Sequence, residues 1–230
     1  MLLALDTATR LISLALHDGQ HVAAETTWHS GSYHTVDLAP QVALLLRRAG
    51  VQPAGLRGVA VAIGPGSYTA LRIGLGFAKG LALALSIPLF GIPTLDGLMR
   101  AQPQHPGPAL ALLPAGRGRL SAVPYHWNAL RHRWDAAGEA RIFDWPALTA
   151  ELTAASVGLP GVPTYVAGEL DPAGREQLRA LRGVVLLASP AHCLRRAGFL
   201  AEIAWARLQH NDPDDPGRLA PSYGGELAGA

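Results

Sequence analysis

Val59-Ala60-Val61-Ala62-Ile63-Gly64-Pro65-Gly66-Ser67-Tyr68-Thr69 opens the stretch that decides the fold: a short apolar strand breaks at two glycines and a proline and becomes an apolar helix running to Leu85. Gly64 and Gly66 admit backbone angles closed to other residues, and Ser67 or Thr69 stands where it can cap the helix by accepting its free N–H groups. A strand, glycine turn and helix start of this kind can hold an anion, because unpaired N–H groups and the helix dipole point out of it. The spacing departs from the nucleotide loops, however. It is not GxxxxGK[ST], the sixth position of a GxGxxG reading is Thr69, and Ser67 lacks the flanking glycines of a nucleophile elbow.

From Thr69 to Ser86 the only charges are Arg72 and Lys79, while Leu71, Ile73, Leu75, Phe77, Leu81, Leu83 and Leu85 cover the rest. A helix apolar nearly all round is buried on more than one face. Gly74, Ala78 and Ala82 form one small-residue row at i, i+4, and Gly76, Gly80 and Ala84 form another, so other backbones can come close. The helix is either central to its own fold or shared between its own sheet and a partner. A membrane span is set aside, since Arg72 and Lys79 interrupt the run and Gly and Ser residues bound it.

With 230 residues, 49% hydrophobic and 16% charged, the chain has the composition of a packed α/β protein of one large domain or two lobes. The net charge is +2, unevenly spread: between 101 and 141, Arg117, Arg119, Arg131, Arg133 and Arg141 face only Asp135 and Glu139. One cysteine, Cys193, excludes an internal disulfide and any all-cysteine metal site, consistent with a reducing cytoplasm. The N-terminal Met1-Leu2-Leu3-Ala4-Leu5 has no basic leader and meets Asp6 too early for a signal peptide, so a cytoplasmic location is expected.

The pattern predicts strands over Leu2 to Leu5, Leu11 to His17 and His21 to Thr27, with a hairpin turn at Asp18-Gly19. A helix from Tyr33 to Arg48 follows, with Pro40 in its second turn, then the opening strand and helix, a strand Leu89 to Ile92 and a helix from about Thr94. The Pro/Gly/Gln stretch Gln102 to Pro108 separates a second run: strands near Ala109 to Leu113, Leu120 to Tyr125 and Arg131 to Phe143, a helix Pro146 to Ala155, a strand Thr164 to Ala167, a helix after Asp171 and a strand Val184 to Leu187. Ser189-Pro190 reads as the start of a helix from Ala191 to His210, which Asn211 to Gly217 stops. The expected pieces are thus an N-terminal lobe 1–101, a smaller α/β lobe 109–188, a C-terminal helix 190–211 and a tail 212–230.

Two α/β lobes that each open with a β-meander, with Asp6-Thr7-Ala8-Thr9 after the first strand, resemble the actin/Hsp70/sugar-kinase (ASKHA) superfamily. Within it, LALDTAT (3 to 9), His34-Thr35 opening a helix, GPGSYTALRIGLGFAKGLAL (64 to 83) and IPLFGIPTLDGL (87 to 98) resemble the TsaB (YeaZ) family, as does the Pro221-Ser222-Tyr223 ending. The specific likeness covers about the first hundred residues.

The resemblance implies a non-catalytic scaffold, with no cofactor, that pairs with the TsaD enzyme of N6-threonylcarbamoyladenosine formation in tRNA beside the anticodon. It further implies a four-helix contact with TsaD, a TsaE ATPase joining the pair, a donor adenylate made by TsaC, and only indirect or weak tRNA contact. Alone, the chain would self-associate through the same helices. The expected interface residues are His34, Leu38, Val42, Leu45, Tyr68, Leu71, Arg72, Leu75, Ala78 and Lys79. Asp6, Thr7, Thr9, Gly64, Gly66 and Ser67 would be a vestigial phosphate loop.

Chemistry separates this reading from its rivals, a metal-dependent glycoprotease-like peptidase and an ATP-dependent small-molecule kinase. TsaD-like enzymes carry H-x-x-x-H on the helix after the last strand of this region, two imidazoles on one face for a metal. Here Thr94 and Leu98 stand at those positions, and Asp96 alone reads as a solvated first-turn acid. The H-x-x-x-H of His17 and His21 spans the Asp18-Gly19 turn, so both read as exposed hairpin histidines. His34 could pair with Ser67 as base and nucleophile, but no acid is evidently placed to orient it. The glycine motif for adenosine and a second phosphate loop are not evident. Arg117, Arg119, Arg131 and Arg133, with Tyr125, His126, Trp127 and Trp134 between them, have the cations and stacking faces that RNA binding uses, and equally suit an exposed hairpin. Where relatives have a D-A-R start to that hairpin, this chain reads Pro114-Ala115-Gly116-Arg117. Cys193 and His192, adjacent in the expected helix, would not share a face.

Overall fold

The computed structural model describes residues 1–31, 34–157 and 161–223, except for the side chains at 34, 35, 156 and 157. Tyr33, the expected first residue of the first helix, lies outside them. The described chain falls into two units, one of residues 1–97 and 195–223 and one whose described part lies within 98–194.

The first unit is built on strands β1 (Leu2–Asp6), β2 (Leu11–His17), β3 (Val22–His29), β4 (Gly58–Ala62) and β5 (Leu89–Ile92) in the order β3-β2-β1-β4-β5. The meander β1-β2-β3 is antiparallel, and β4 and β5 join it in parallel. Helices α1 (His34–Arg48) and α2 (Tyr68–Leu85) supply the crossovers, with a single 3-10 turn at Pro53–Gly55 between them. This is the α/β arrangement of the ASKHA class.

β1, β2 and β4 are apolar at nearly every position because both sheet faces are covered. Successive side chains alternate between faces, so Leu3, Leu5, Leu14, Leu16, Val59 and Val61 meet Leu38, Val42 and Leu45 of α1 and Leu75, Ala78 and Ala82 of α2. On the other face Leu2, Ala4, Ala15, Ala60 and Ala62 meet Ala197, Leu200, Ala201 and Ala204 of the last helix, Ala197–Gln209. Alanine on both sides lets that helix lie close to the sheet.

The last helix differs from its sequence expectation. It begins at Ala197 rather than Ala191, because Ser189-Pro190 starts only a turn in which the Cys193 N–H donates to the Ser189 carbonyl at 3.1 Å. Arg196 is extended, and the Ala197 N–H donates to Ser13 Oγ at 2.8 Å, so β2 rather than a local cap sets the helix start. Residues 195–223, from within the expected separate C-terminal helix and tail, belong to the first unit.

Helix α3 (Thr94–Arg100) begins in the first unit and ends in the second, whose strands are β6 (Ala109–Pro114), β7 (Leu120–Asn128), β8 (Arg133–Ala136), β9 (Arg141–Phe143), β10 (Thr164–Gly168) and β11 (Val185–Leu187). Their order is β11-β10-β6-β7-β8, with β9 also on β7. The one long strand expected over Arg131 to Phe143 is therefore two: β8 pairs with the end of β7 and β9 with its start. Helices α4 (Trp145–Val157) and α5 (Pro172–Ala180) flank a core of Leu112, Leu120, Phe143, Leu148, Leu152, Val166 and Leu178. Asp171 caps α5 by accepting from the Gly174 N–H at 2.7 Å, with Pro172 at the first helical position.

Candidate functional site

By length and hydropathy α2 could cross a membrane, with a third of it buried in the fold. Its two small-residue rows have different destinations. Gly74, Ala78 and Ala82 turn inward with Leu71 and Leu75. A side chain at Gly74 would overlap Thr7, whose Oγ1 donates to the Ala70 carbonyl at 2.9 Å and pins the helix to the β1–β2 turn. The other row turns out: a Cβ built on Gly76 or Gly80 meets nothing within 4 Å. With Thr69, Arg72 and Leu83 these glycines form one exposed stripe, and Leu83 is 68% exposed.

The expected interface residues divide accordingly. Leu38, Leu45, Leu71, Leu75 and Ala78 are buried in the first unit's own core, so their side chains build the helical layer without lining its outside, and Val42 is buried with them but reaches the floor of the groove between α1 and α2. Tyr68 and Arg72 are exposed and Lys79 is half-buried. The His34 side chain lies outside the described residues. Sequence reading missed the residues that do face out, Val36 (64% exposed), Ala39 and Ala43 of α1 and Gly76, Gly80 and Leu83 of α2. For Gly76 and Gly80 the signal was present in the second small-residue row. Between α1, the 3-10 turn and α2 runs an apolar groove of about 480 Å³, lined by Ala39, Val42, Ala43, Leu46, Val51 and Leu81.

Behind this layer, the expected phosphate loop is filled by the chain's own groups. Asp6 is 2% exposed and is ion-paired with Arg195, itself 1% exposed. Asp6 Oδ1 also accepts from the Ala8 N–H at 2.9 Å, and Arg195 donates to Thr9 Oγ1 at 2.6 Å and to the Leu11 carbonyl at 2.9 Å. The Arg195 guanidinium thus takes up the one carboxylate of this turn that a cation could have used. Gly66 lies so close to Ala8 that a Cβ would sit 2.5 Å from its carbonyl oxygen, and the Ser67 N–H donates to that oxygen at 2.7 Å. Ser67 is the N-cap by backbone position, yet its side chain makes no capping bond, contrary to expectation.

The C-terminal segment closes the other side. Gly64, at φ 122°, would drive any side chain into the Ser222 carbonyl, and the Ser222 N–H donates to the Ile63 carbonyl at 2.6 Å. Tyr223 stacks on Tyr68 at 4.8 Å between ring centroids; Arg72 lies 3.8 Å over the Tyr68 ring and donates to the Tyr223 hydroxyl at 2.8 Å. Upstream, Asp214 accepts from the Gly91 N–H at 2.7 Å and from Arg207 at 3.0 Å, while its own N–H donates to the Leu89 carbonyl at 2.9 Å, which covers part of the edge of β5.

The residues at the metal positions of the TsaD-like enzymes do not fit a metal. Thr94 Oγ1 accepts from the Gly64 N–H at 3.0 Å, the Thr94 N–H returns a bond to the Gly64 carbonyl at 2.8 Å, and Leu98 is apolar and buried. Among the described residues, no three His, Cys, Asp or Glu side chains gather where they could hold an ion. Of the hairpin histidines only His21 is exposed. His17 is buried, packed on Trp205 at 5.6 Å and accepting from the Gly19 N–H at 3.0 Å. Cys193 is buried and His192 exposed, in a turn rather than the expected helix. The arginine-rich segment is not one patch: Arg117 and Arg119 lie in the turn before β7, Arg131 in the turn after it and Arg133 in β8 opposite Asn128 at the far end of β7.

Comparison with known proteins agrees with this architecture. The family model described as TsaD: tRNA N6-adenosine threonylcarbamoyltransferase matches residues 28–148. The chain is 31% identical over 151 residues to the tRNA threonylcarbamoyladenosine biosynthesis protein TsaB of Bacillus subtilis (strain 168), covering 65% of this chain and 66% of that protein. It is 46% identical over 111 residues to the tRNA N6-adenosine threonylcarbamoyltransferase of Nitratidesulfovibrio vulgaris (strain DP4), covering 45% of this chain and 30% of that one. The chain therefore spans two thirds or less of the curated relatives it matches. The crystal structure of a Pseudomonas aeruginosa protein with similarity to peptidase YEAZ superposes with a TM-score of 0.75 over 96% of this chain and 98% of that one, at 24% identity, a likeness of fold.

Proposed function

Since the chain belongs to the TsaD family, on its TsaB (YeaZ) branch, we propose that it is a non-catalytic partner subunit in the formation of N6-threonylcarbamoyladenosine in tRNA. It pairs with a TsaD transferase through the outward sides of α1 and α2. One observation carries this reading. Gly76 and Gly80 each cost the isolated helix about 1 kcal/mol relative to alanine, and nothing inside the fold requires either of them to be glycine. Gly74 and Gly66, by contrast, each have an internal neighbour that a Cβ would strike. Outward glycines on an exposed stripe suit close approach by another helix, to the roughly 8–10 Å axis separation of packed helices.

Val36, Leu83 and the groove beside Leu81 supply apolar area for such a contact, and Arg47, Arg72 and Lys79 a polar rim. Alone, the chain self-associates through the same face, and a TsaE ATPase joins the hetero-pair. Catalytic groups come from TsaD. The filled Asp6 turn and the spent Thr94 hydroxyl support that division, since both positions are already satisfied internally.

The deciding experiment is co-purification with the TsaD of the same host, followed by the tRNA modification assay with and without this chain. Stable pairing and dependence of modification on the chain are expected. Full modification in its absence, a stoichiometric tightly bound metal, or micromolar ATP affinity of the isolated protein would overturn the reading.

A further inference from the structure

The second unit holds a cleft that the helical face does not use. Trp127 of β7 pairs across the ladder with Trp134 of β8, the rings edge to face at 5.6 Å. Trp134 is fixed: it is buried, its Nε1–H donates to the Pro103 carbonyl at 3.1 Å, and its ring stacks on Tyr165. Trp127 is half-buried and, with Trp134, lines a cavity of about 270 Å³. Met99, Arg100, Gln102, Arg131, His132 and Arg133 complete the lining, which holds no carboxylate.

The acid nearest in sequence is already engaged. Asp135 accepts from Arg133 Nε and from Asn128 Nδ2, both at 2.7 Å. Burial pushes its carboxyl up, but those two donors and the positive charges beside it hold it below the ordinary carboxylate range. Arg131 is exposed in the β7–β8 turn, and Asp135, whose direct bonds go to Arg133 and Asn128, feels it only as a nearby charge. A fixed indole wall, a second indole open to the cavity and an exposed guanidinium are thus held together by one hairpin.

We propose that this cleft takes one nucleotide of a single-stranded RNA, with the base stacked on Trp127 and the backbone phosphate held by Arg131. Stacking on an indole accepts any base, and guanidinium planes and phosphates are natural partners, so the pairing of the two points to unpaired nucleic acid rather than to an acidic peptide. The volume lies below the roughly 300–1,000 Å³ of sites for larger ligands, in keeping with a single base. The choice of RNA rests on the proposed role in tRNA modification; the cation and stacking chemistry does not.

The test is titration of the full chain with a fluorescently labelled short RNA stem–loop, read by anisotropy and by tryptophan quenching, with AMP, a paired RNA duplex and an acidic peptide as comparison probes. Binding of the stem–loop above all three comparison probes is expected. Arg131→Glu weakens it about tenfold or more and makes the salt dependence shallower by about one phosphate contact. Trp127→Leu weakens it about tenfold and removes most of the quenching. Affinity unchanged by Arg131→Glu, an exposed position whose substitution leaves the fold intact, overturns the proposal. Equal binding of AMP, of the duplex or of the acidic peptide overturns it too. The titration needs no TsaD, so it and the pairing reading fail separately. Pairing with TsaD should survive Arg131→Glu, and its loss would overturn the assignment of a separate site.

Discussion

Arg195 lies with its guanidinium against the carboxylate of Asp6, both almost wholly buried, across 189 residues of sequence. Removing one partner of a buried pair leaves an uncompensated charge and costs about 3–5 kcal/mol, whereas replacing both with apolar groups is often close to neutral. Arg195→Met should therefore lower the melting temperature by about 10 °C. Asp6→Leu combined with Arg195→Met should recover most of that loss. A single substitution that left the melting temperature unmoved would contradict the burial of the pair.

The outward glycines give opposite signs for stability and for assembly. Gly76→Ala and Gly80→Ala should each stabilise the isolated protein by about 1 kcal/mol, since alanine is the better helix former and no neighbour is struck. Gly80→Leu should fold equally well and fail to retain TsaD in a pull-down. Retention of TsaD by Gly80→Leu would place the contact elsewhere.

Leu71 and Leu75 behave differently because they face inward. Leu71 is fully buried, so Leu71→Ala should cost about 2–5 kcal/mol in chemical denaturation. A charge there should unfold the first unit rather than weaken pairing selectively. Pairing lost with stability intact would instead move Leu71 to the interface.

Asp214 ties the C-terminal segment to the edge of β5. Asp214→Ala leaves the Gly91 N–H unpaired and takes one of two carboxylate partners from Arg207, which is three-quarters buried and keeps Asp212; about 1–3 kcal/mol of stability should be lost. Amide hydrogen exchange should accelerate at Gly91 while β1 remains protected. Uniform acceleration throughout the unit would show instead that the segment is needed for the whole sheet.

The strands of the first hundred residues were legible because both-face burial writes continuous apolar runs and Gly or Pro marks their ends. Leu11 to His17 and Leu89 to Ile92 came out at their observed bounds. The orientation of α2 was not legible, since a helix apolar all round has no periodicity to separate its faces. Only the neighbour sets of Gly74 and Gly76 do that. The burial of His17 depends on Trp205, and the start of the last helix on Ser13; both are contacts distant in sequence that outweigh local turn and capping signals. The break between β8 and β9 was hidden because both strands serve one partner, β7, at its two ends.

The last helix also sets a clock on synthesis. One face of the first sheet waits for Ala197, Leu200, Ala201 and Ala204, about a hundred residues after β5 has been made. At ribosomal rates of about 5–20 residues per second, that leaves the alanine-rich face of β1 and β4 open for about 5–20 s. An interrupted chain would carry the glycine-faced α2 yet lack the layer that braces its sheet. The first sheet is therefore covered on both faces only once translation has passed the last helix.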